Sequence, residues 1–403
     1  MHRRAWNADP LAIVTAPGRV NLMGDHVDYA HVPVLPMAIQ LGTRVGVGPG
    51  TDGRLRGISS AARGLLYLRG DEAPTELDGW AQYAAAAVAA AGMPESGAVI
   101  TVGGDLPITG GLSSSSAFVL ATVAALTIAQ GTAADLERLV ELAVAAERSI
   151  GVEGGSMDQI VIAHASRGNA LRIDFEPPGR RQVPIHEGLA WVIASSGEAA
   201  PKGSRVRAAY NALAVTARAV AVLVGSSLGR AVGRPPRFGS IGLNASGLEE
   251  AIDALPLTTT ARAVADVTHT PVTDMTTMSA GAFDPDVALE LQRFGRHLLS
   301  EGRRVDAVEA ALLTGDLAGV GHAMAESHAS LASIGVVTPG LARVVDAMCD
   351  AGAAGARVTG AGFGGYAVAV CSPDQVAVVR NGAVDATGGP AVEVRPSEGL
   401  HYG

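Results

Sequence analysis

The sequence predicts an α/β (α+β) protein of two domains, and three observations support this fold class. The chain has 403 residues, enough for two domains of ordinary size. It is 48% hydrophobic and 17% charged, a composition that supplies buried cores and excludes a disordered chain. Short strand-like and helical segments alternate, and the polar stretch around Pro177, Pro178 and Gly179 interrupts them. We therefore expect an N-terminal domain over 1–187 and a C-terminal domain over 188–403.

The N-terminal domain is predicted to alternate short strands with apolar helices. The helix predicted over 80–91 is mostly Ala and Val with little polar face, so we expect it to be buried. The helix predicted over 133–150 is amphipathic, with Leu136, Leu139 and Leu142 on one side. The other predicted elements of this domain are a helix over 114–129 and strands over 11–15, 34–39, 42–48, 54–58, 66–69, 98–103 and 160–163.

The C-terminal domain is predicted to begin with a strand over 189–194 and to contain several helices. Two of these form a pair over 287–313 and 317–334. The domain is expected to end in two strands, over 357–358 and 366–371.

Composition and charge narrow the class of partners. The net charge of −9, with no basic block, argues against nucleic acid or an anionic membrane surface. The first six residues contain no apolar signal-peptide core, and the apolar helical runs over 118–129 and 212–224 are too short or too interrupted to span a bilayer. Cys349 and Cys371 lie in no metal-binding or redox pattern, as expected of a reducing compartment. These features predict a cytoplasmic protein.

Lysine is nearly absent, and this excludes two nucleotide-binding motifs. Lys202 is the only lysine in the chain. It does not follow a glycine-rich strand-to-helix loop, so a Walker-type phosphate loop is excluded. The protein-kinase motif set also requires a lysine on a strand. Any nucleotide phosphate would have to be bound by backbone amides, helix ends, arginine and metal.

The most informative segment runs from Ala16 to Tyr29. Pro17 and Gly18 are expected to end the strand over 11–15, so that the polar side chains after them lie on a turn. Within ten residues the segment places one arginine, one histidine and two carboxylates: Arg19, Asp25, His26 and Asp28. Such a set suits a site that binds several hydroxyl groups and neutralises an anion. The alternative is a charged, solvated loop.

A second segment, 103–117, leads from a strand through a glycine-rich turn into an apolar helix. Gly110 and Gly111 permit close approach of the backbone to a ligand. The serines from 113 to 116 occupy the start of the helix, where unpaired amide groups and the helix dipole favour an anion. The segment therefore predicts a phosphate site, and the alternative is an ordinary capped helix start.

Two more segments contribute candidate residues. Asp158 lies in the glycine-rich turn over 153–159 and could be a general base, although a turn aspartate is the alternative. Glu147 on the preceding helix could supply a carboxylate to Mg²⁺, unless it is a solvated helix residue. The segment over 358–365 has four glycines within six residues, which indicates close backbone approach to a ligand or loop, or a hairpin turn.

Together these motifs resemble the galactose/homoserine/mevalonate/phosphomevalonate (GHMP) kinase superfamily, and its galactokinase branch in particular. The segment 18–29 resembles the galactokinase signature, 111–115 the superfamily phosphate loop, and 360–365 its third motif. The resemblance covers nearly the whole chain. Further counterparts are Trp80, Tyr83, Gly155, and the segments 157–159, 326–328 and 395–399.

The resemblance implies a two-domain GHMP kinase fold with the active site in the cleft between the domains. It also implies a Mg²⁺-dependent sugar 1-kinase that transfers the γ-phosphate of ATP, or of GTP, to the anomeric hydroxyl of galactose or a closely related aldose. The only implied partners are the small-molecule sugar and the nucleotide. The chain could be a monomer or a homodimer.

The resemblance also assigns roles to individual residues. Asp158 would accept or orient the proton of the anomeric hydroxyl, while Arg19 would lower the pKa of that hydroxyl and stabilise negative charge. Ser115 and Glu147 would hold Mg²⁺. The triphosphate would be bound by Gly110, Gly111, Leu112, Ser113, Ser114, Ser115 and Ser116. The sugar hydroxyls would be bound by Asp25, His26, Asp28, Gly155 and Tyr210.

The departures from the galactokinase pattern lie mainly around the sugar. Asp25 stands where galactokinases usually have Glu, at a position that meets the C6 end of the sugar in that family. The other departures are Ala30, Val32, Thr109, Ser116, Gly154 and Leu213. The shorter carboxylate at Asp25 suggests an alternative substrate, a heptose or octose of specialised metabolism.

Two other classes of protein are less well supported by the sequence. The first is a sugar and ATP sensor without turnover, but this chain keeps both Arg19 and Asp158. The second is a homoserine- or mevalonate-type kinase, but those branches lack the Asp-His-x-Asp-Tyr cluster that this chain has over 25–29.

Overall fold

The structure, a computed structural model, describes residues 1–108, 110–132, 135–151, 154–198, 204–278 and 281–403, with only the backbone for 204–206. Thr109, Glu153, Lys202 and the predicted helix start at Ala133 lie outside the described residues. The strands are β1 (Ala12–Met23), β2 (Leu35–Pro49), β3 (Leu55–Ser59), β4 (Leu66–Leu68), β5 (Ala98–Gly104), β6 (Asn169–Phe175), β7 (Pro178–Pro184), β8 (Ala190–Ser195), β9 (Thr258–Thr260), β10 (Thr277–Met278), β11 (Gly281–Ala282), β12 (Ala288–Glu290), β13 (Gly355–Val358), β14 (Tyr366–Cys371), β15 (Ala391–Val394) and β16 (His401–Tyr402).

Helices connect and cover these strands. They are α1 (His2–Trp6), α2 (Gly79–Ala91), α3 (Ser114–Ala129), α4 (Leu136–Ser149), α5 (Met157–His164), α6 (Ser204–Leu228), α7 (Leu248–Asp253), α8 (Ala261–Thr268), α9 (Val272–Thr276), α10 (Leu291–Thr314), α11 (Leu317–Ser333), α12 (Pro339–Asp350) and α13 (Val376–Thr387). Short 3₁₀ turns lie at Asp28–Ala30, Pro74–Glu76, Phe238–Ile241 and Pro373–Gln375.

The first sheet has six strands in the order β16-β1-β2-β5-β3-β4. Neighbouring strands in this sheet are antiparallel, except that β3 and β5 run parallel to each other. The helix α3 packs on β1 and β2 and against α2 and α4. Twelve of the sixteen residues of α3 are buried, as expected for a helix with almost no polar face.

The second sheet has four strands in the order β13-β14-β8-β15. The helices α12 and α13 pack against it, and α11 contacts β13. The helices α6 and α10 lie together and extend the core of the first sheet, so that the largest apolar cluster includes residues of both predicted domains. The last strand, β16, returns to the first sheet beside β1. The domain boundary at 187/188 stays a prediction.

Several predicted elements are confirmed by the structure. The predicted helix over 114–129 is α3 with the same bounds, and the predicted pair in the C-terminal half is α10 and α11. The predicted strands over 189–194 and 366–371 are β8 and β14. These elements were readable because each is an apolar or amphipathic run bounded by Gly, Pro or polar residues, a pattern that does not depend on distant parts of the chain.

Three predictions were wrong in their local structure. The segment 160–163 is part of the helix α5, because a buried apolar run of four residues does not distinguish strand from helix. The two strands predicted over 34–39 and 42–48 form one long strand, β2. The strand β1 does not end at Pro17 but continues to Met23, with a register shift between Pro17 and Arg19, so Arg19 lies on a strand rather than on a turn.

The helix α6 is longer than the apolar run that the sequence suggested. Its segment Arg207–Leu228 is, among the described residues, the one helix with the length and apolarity of a membrane span. However, 61% of its most apolar stretch is buried inside the protein, where it packs against α8 and α10. The helix therefore fits the role of a core helix.

Candidate active site

One cleft brings together the candidate residues from distant parts of the sequence. It has a volume of about 290 Å³ and lies among β1, the turn after it, the start of α3, the end of α4, the starts of α5 and α6, and the glycine-rich loop after β13. The predicted site residues that line it are Arg19, Asp25, His26, Asp28, Gly110, Gly111, Ser113, Ser114, Ser115, Ser116, Glu147, Gly155, Asp158 and Tyr210. The side chain of Leu112 is instead buried behind the loop, with its carbonyl oxygen accepting from the Arg19 amide at 3.1 Å.

Arg19 and Asp158 form a bidentate ion pair at the centre of the cleft. The Nε of Arg19 donates to Oδ1 of Asp158 at 2.6 Å, and Nη2 donates to Oδ2 at 2.8 Å. Arg19 also donates to the carbonyl of Gly111, and the hydroxyl of Ser113 donates to Asp158. Burial alone would lower the pKa of Arg19, but the Asp158 carboxylate raises it above its ordinary value. The pair thus fixes a carboxylate beside the start of the phosphate-loop helix.

Local structure explains why the pair is so well defined. Arg19 follows the bulge of β1, which points its side chain towards α5, and it is only 4% exposed. Asp158 lies in the first turn of α5, where the helix dipole favours a negative charge. Because both side chains are held by short charged hydrogen bonds, the carboxylate is oriented before any ligand binds.

The turn after β1, residues 24–28, forms another wall of the cleft. Because the resemblance described above predicts that its polar residues bind sugar hydroxyls, it is called the sugar turn below. His26 has a positive φ of 58°, and its Nε2 donates to the carbonyl of Ala361 at 3.0 Å. Because a carbonyl only accepts, Nδ1 must be the acceptor, facing the hydroxyl of Tyr29 at 3.3 Å. Burial lowers the pKa of His26 to about 4, so this ring is neutral near pH 7.

The two carboxylates of the sugar turn are both buried. The Asp25 carboxylate accepts from Nδ2 of Asn21 at 3.0 Å and forms an ion pair with Arg357. Burial raises the pKa of Asp25 to about 6, although Arg357 lowers it. Burial, together with the Asp158 carboxylate, raises the pKa of Asp28 to about 7. A carboxyl group with such a pKa can exchange a proton near neutral pH, as functional carboxyl groups often do.

Gly155 and Tyr210 complete this side of the cleft. A β-carbon at Gly155 would lie 2.1 Å from Oδ2 of Asp28, so only glycine fits there. The ring of Tyr210 lies 5.4 Å from that of His26 and 5.7 Å from that of Tyr29, measured between centroids. Aromatic faces beside carboxylates suit a ligand with both an apolar ring face and hydroxyl groups.

The phosphate-loop segment and the glycine-rich loop 360–365 pack backbone against backbone. Gly110 and Gly111 have φ values of 121° and 86°. A β-carbon at Gly360 would lie 2.5 Å from the carbonyl oxygen of Gly111, and one at Gly365 would lie 2.5 Å from that of Gly110. The loop joins the paired strands β13 and β14, so the hairpin and the close backbone approach are both present. Together the loops leave the start of α3 open to the cleft.

Glu147 fits a role as a metal ligand. Its Oε2 accepts from Nε2 of Gln159 at 2.8 Å, while its buried Oε1 has no hydrogen-bond partner among the residues that the structure describes. Burial raises the pKa of Glu147 to about 7, which a bound cation would reverse. In the described ranges, no group of three or more His, Cys, Asp or Glu side chains could hold a metal. The carboxylate of Glu147, with its buried and unpartnered Oε1, is the kind of oxygen donor that Mg²⁺ takes alongside phosphate oxygens and water.

Comparison with known proteins identifies the family. Residues 1–49 match the galactokinase galactose-binding signature, residues 81–166 the N-terminal domain of GHMP kinases, and residues 308–386 their C-terminal region. The chain is 30% identical over 381 residues to the galactokinase of Mycobacterium tuberculosis, covering 92% of this chain and 93% of that protein. It is 32% identical over 388 residues to the galactokinase of Chloroflexus aggregans, covering 93% and 87%. The chain belongs to the galactokinase family of GHMP kinases.

Solved structures confirm the predicted fold. The galactokinase of Lactococcus lactis, determined in complex with galactose, superimposes with a TM-score of 0.77 at 23% identity and covers 99% of this chain and 97% of that one. The mevalonate kinase of Methanococcus jannaschii superimposes with a TM-score of 0.66 at 15% identity, covering 96% and 98%. These two structures confirm the two-domain GHMP kinase fold. The galactokinase relatives and the family models show that the chain is a sugar kinase of the galactokinase type, a phosphotransferase.

A second cavity of this galactokinase-family chain was missed by the sequence reasoning. It has a volume of about 620 Å³ and adjoins the first at Tyr83, Ser114 and Ser115. Its walls are more apolar and include Trp80, whose ring lies 6.2 Å from that of Phe118. The sequence signal was present, since the aromatic residues at the start of α2 were noted, but no periodic pattern reveals that they face a cavity.

Other residues at the site also escaped sequence reasoning. Asn21, Gln159 and Arg357 each hold one of the predicted site residues through a side-chain contact. Glu301 on α10 holds the backbone of the sugar turn. Asn21 and Gln159 lie within motifs that the sequence singled out. Arg357 lies on a predicted strand just before the glycine-rich segment, and Glu301 lies in a helix that carries no chemical signal of its own.

Proposed function

We propose that this chain is a Mg²⁺-dependent sugar 1-kinase that transfers the γ-phosphate of ATP to the anomeric hydroxyl of galactose or a closely related aldose. The observation that carries the proposal is the Arg19–Asp158 ion pair, placed between the sugar turn and the start of α3. The galactokinase relatives and the galactose-binding signature over 1–49 support it.

In this mechanism Asp158 accepts the proton of the anomeric hydroxyl. The hydroxyl oxygen forms a bond to the γ-phosphorus while the bond from that phosphorus to the bridging oxygen breaks, and ADP leaves. Arg19 stabilises the negative charge on the attacking oxygen and holds the carboxylate in place. The amide groups of residues 110–116 and the positive end of the α3 dipole bind the triphosphate. Most of the rate enhancement would come from positioning and charge stabilisation.

Magnesium, when bound, would neutralise the charge of the β- and γ-phosphates. Ser115 and Glu147 would hold it, and the unpartnered Oε1 of Glu147 supports this assignment. Because Gln159 donates to Oε2 of Glu147, Oε1 would be the oxygen that holds the cation.

The sugar would lie against Asp25, His26, Asp28, Gly155 and Tyr210. A hydroxyl group of the sugar would replace the long 3.3 Å contact between His26 and Tyr29. The nucleotide base would occupy the second cavity, beside Trp80. This nucleotide would be ATP or GTP, and the chain would act in the cytoplasm as a monomer or homodimer.

A specific observation favours the alternative, a heptose or octose 1-kinase. Asp25 is one methylene shorter than the Glu usual in galactokinases, and both of its carboxylate oxygens are bound inside the protein, by Asn21 and Arg357. Its capacity to bind the end of a sugar is therefore reduced. A panel of hexoses, heptoses and octoses assayed for C1 phosphorylation decides between the two, and a much higher kcat/KM for galactose would exclude the alternative.

The proposed reaction is tested by the substitution Asp158→Asn. We expect sugar-dependent ADP release to fall by about 10³-fold or more, because the proton acceptor is lost. Phosphorus NMR of the wild-type product should show phosphate on the anomeric carbon.

The control is Asp286→Asn, which removes a surface carboxylate with a similar bidentate pair to Arg262, at 2.7 and 2.9 Å. This variant should keep wild-type activity. Full activity of Asp158→Asn would contradict the mechanism. A wild-type chain that binds sugar and ATP without consuming ATP would instead be a sensor.

A further inference from the structure

A carboxylate outside the cleft holds the backbone of the sugar turn. Glu301 on α10 is fully buried. Its Oε1 accepts from the amide of Gly24 at 3.0 Å and from the amide of Asp25 at 3.3 Å. The same oxygen accepts from the hydroxyl of Ser327 at 2.8 Å. The two amides therefore point away from the cleft and into the C-terminal half of the protein.

Two more side chains of the C-terminal half hold the same segment. His297 lies on α10, one turn before Glu301, and its Nε2 donates to the carbonyl of Asp25 at 3.0 Å. Arg357 on β13 donates to the carbonyl of Leu22 at 3.1 Å and pairs with the Asp25 carboxylate. Residues 22–25 are thus fixed at their amides, carbonyls and one side chain by elements that follow them by about 270 to 335 positions.

The conformation of the turn needs this support. Gly24 has a φ of +99° and His26 a φ of 58°, and the second of these costs energy for a residue with a β-carbon. Strained backbone persists only where the surrounding structure determines it strongly. The contacts of Glu301 are made to the amides of Gly24 and Asp25, the two residues that precede His26.

Charge balance makes Glu301 the central member of this set. It forms an ion pair with Arg304 at 2.8 Å and lies 3.5 Å from Nη1 of Arg357. Burial alone would raise the pKa of Glu301, but Arg357, His297 and Arg304 lower it to about 2. Loss of this carboxylate would remove a counter-charge of Arg304 and Arg357 and the acceptor of two backbone amides, which is more costly than the loss of one hydrogen bond.

We propose that Glu301 is a positioning residue of the sugar site, which acts through the amides of Gly24 and Asp25 to set the geometry of the sugar turn. The inference rests on the proposed function, in which Asp25, His26 and Asp28 bind the sugar. Among the described residues, the polar contacts of Glu301 go to the sugar turn, α10, α11 and Arg357, and none goes to residues 110–116, which are proposed to bind the phosphates. Glu301 therefore controls the affinity for the sugar and not the affinity for the nucleotide.

The substitution Glu301→Gln tests this role. We expect the KM for the sugar to rise about tenfold or more, because the amide of Gln places donors against the donors of Arg304 or of the turn. The KM for the nucleotide should stay within about twofold of the wild-type value, and kcat should fall by less than about fivefold. A general loss of stability would not raise the KM for the sugar while leaving the KM for the nucleotide nearly unchanged.

Glu309→Gln is the matched control. Glu309 lies on the same helix and pairs with Arg181 at 2.7 Å and Arg172 at 2.8 Å, on the hairpin β6–β7. The same change of charge there should leave both KM values unaltered. An unchanged sugar KM in Glu301→Gln, or an equal rise in both variants, would overturn the proposal.

A milder variant covers the case in which Glu301→Gln does not fold. Ser327→Ala removes one donor to Oε1 of Glu301 and should raise the sugar KM about two- to threefold, with faster amide hydrogen exchange in the peptide that contains Gly24. Unchanged values of both would contradict the inference. Calorimetric titration with sugar compares the sugar affinity of the variants and the wild type without turnover. A wild-type chain that binds sugar without phosphorylating it would contradict the proposed function but not the role of Glu301.

Discussion

At the scale of single residues, the cleft depends on Gly155 as much as on the charged groups. The glycine faces the carboxylate of Asp28, which is buried beside Asp158 and His26. The space that a side chain at Gly155 would need is already filled by the carboxylate of Asp28, which is proposed to bind the sugar. The sequence shows that a glycine and an aspartate occupy these positions. It does not show that the two residues touch, because Gly155 and Asp28 lie 127 positions apart in the chain.

Gly155→Ala should displace the Asp28 carboxylate. The new β-carbon would lie 2.1 Å from Oδ2 and 2.4 Å from Cγ of Asp28, so the side chain must move. We expect kcat/KM for the sugar to fall about tenfold or more, mainly through KM, as measured by steady-state kinetics.

Gly179→Ala is the control for this variant, because nothing lies within 4 Å of a β-carbon at that position. It should behave as wild type. A Gly155→Ala enzyme with normal sugar kinetics would show that Asp28 is not a sugar ligand in the geometry described.

At the scale of elements, the two glycine-rich loops act as one unit. The segment before α3 and the loop between β13 and β14 approach so closely that neither has room for side chains at Gly110, Gly111, Gly360 and Gly365. The amide of Tyr366 also donates to the carbonyl of Gly110 at 3.0 Å. The start of α3 is therefore held from the C-terminal half, which couples the proposed phosphate site to the second sheet.

Gly360→Ala should disturb this contact. A β-carbon at Gly360 would lie 2.5 Å from the carbonyl oxygen of Gly111 and 2.8 Å from its Cα. We expect a lower Tm and a kcat at least about tenfold below wild type, because the loop that is proposed to bind the phosphates must shift. Thermal unfolding and kinetics measure the two effects.

The control separates loop packing from backbone strain. Gly335 has the same φ of +81° as Gly360, but nothing lies within 4 Å of its β-carbon position. Gly335→Ala should therefore lower Tm through strain alone and keep a normal kcat. Equal losses of kcat in both variants would mean that the contact between the loops is unimportant for transfer.

At the scale of the whole molecule, the site is a product of both halves of the chain. The N-terminal half supplies Arg19, Asp158 and the sugar turn, while α10, β13 and the glycine-rich loop hold these groups from behind. Buried ionisable groups accumulate where the halves meet. Stability should therefore depend on pH, and Asp28 gives the clearest expected signal, with a pKa raised from 3.8 to about 7.

Asp28→Asn should gain stability relative to wild type as the pH rises. The folded wild type binds more protons at Asp28 than the unfolded chain does, so the stability from this group is present at low pH and is lost as the pH rises through about 7. Asn does not titrate. Between about pH 6 and about pH 8 the difference in unfolding free energy should change by about 1 kcal/mol in favour of the variant.

Titration of the histidines does not confuse this measurement. Burial lowers the pKa of His26 to about 4, which acts in the opposite direction, but this contribution is common to both proteins and cancels in the difference. The control is Asp71→Asn, at an exposed position. Its difference from wild type in unfolding free energy should stay constant over the same pH range. Chemical denaturation at a series of pH values measures both variants, and a constant difference for Asp28→Asn would contradict the expected titration.

The sequence by itself determined the elements and residue types that depend on local pattern. The bounds of α3, the glycine and serine content of its start, and the identities of Arg19 and Asp158 were all readable, because apolar runs, the Gly residues that bound them and motif spacing involve neighbours in the chain. Short segments were less predictable: the run 160–163 became a helix and β1 continued past Pro17, since packing decides the structure of such segments.

Only the tertiary structure decided which groups meet. Arg19 and Asp158 are 139 positions apart, Asp25 and Arg357 are 332 apart, and Gly24 and Glu301 are 277 apart. Burial, which shifts the pKa of Asp28 and His26, likewise arises only when the two halves close over the sugar turn. Contacts and desolvation depend on the packing of the whole chain, so Glu301, in a helix without a motif, became visible only in the fold.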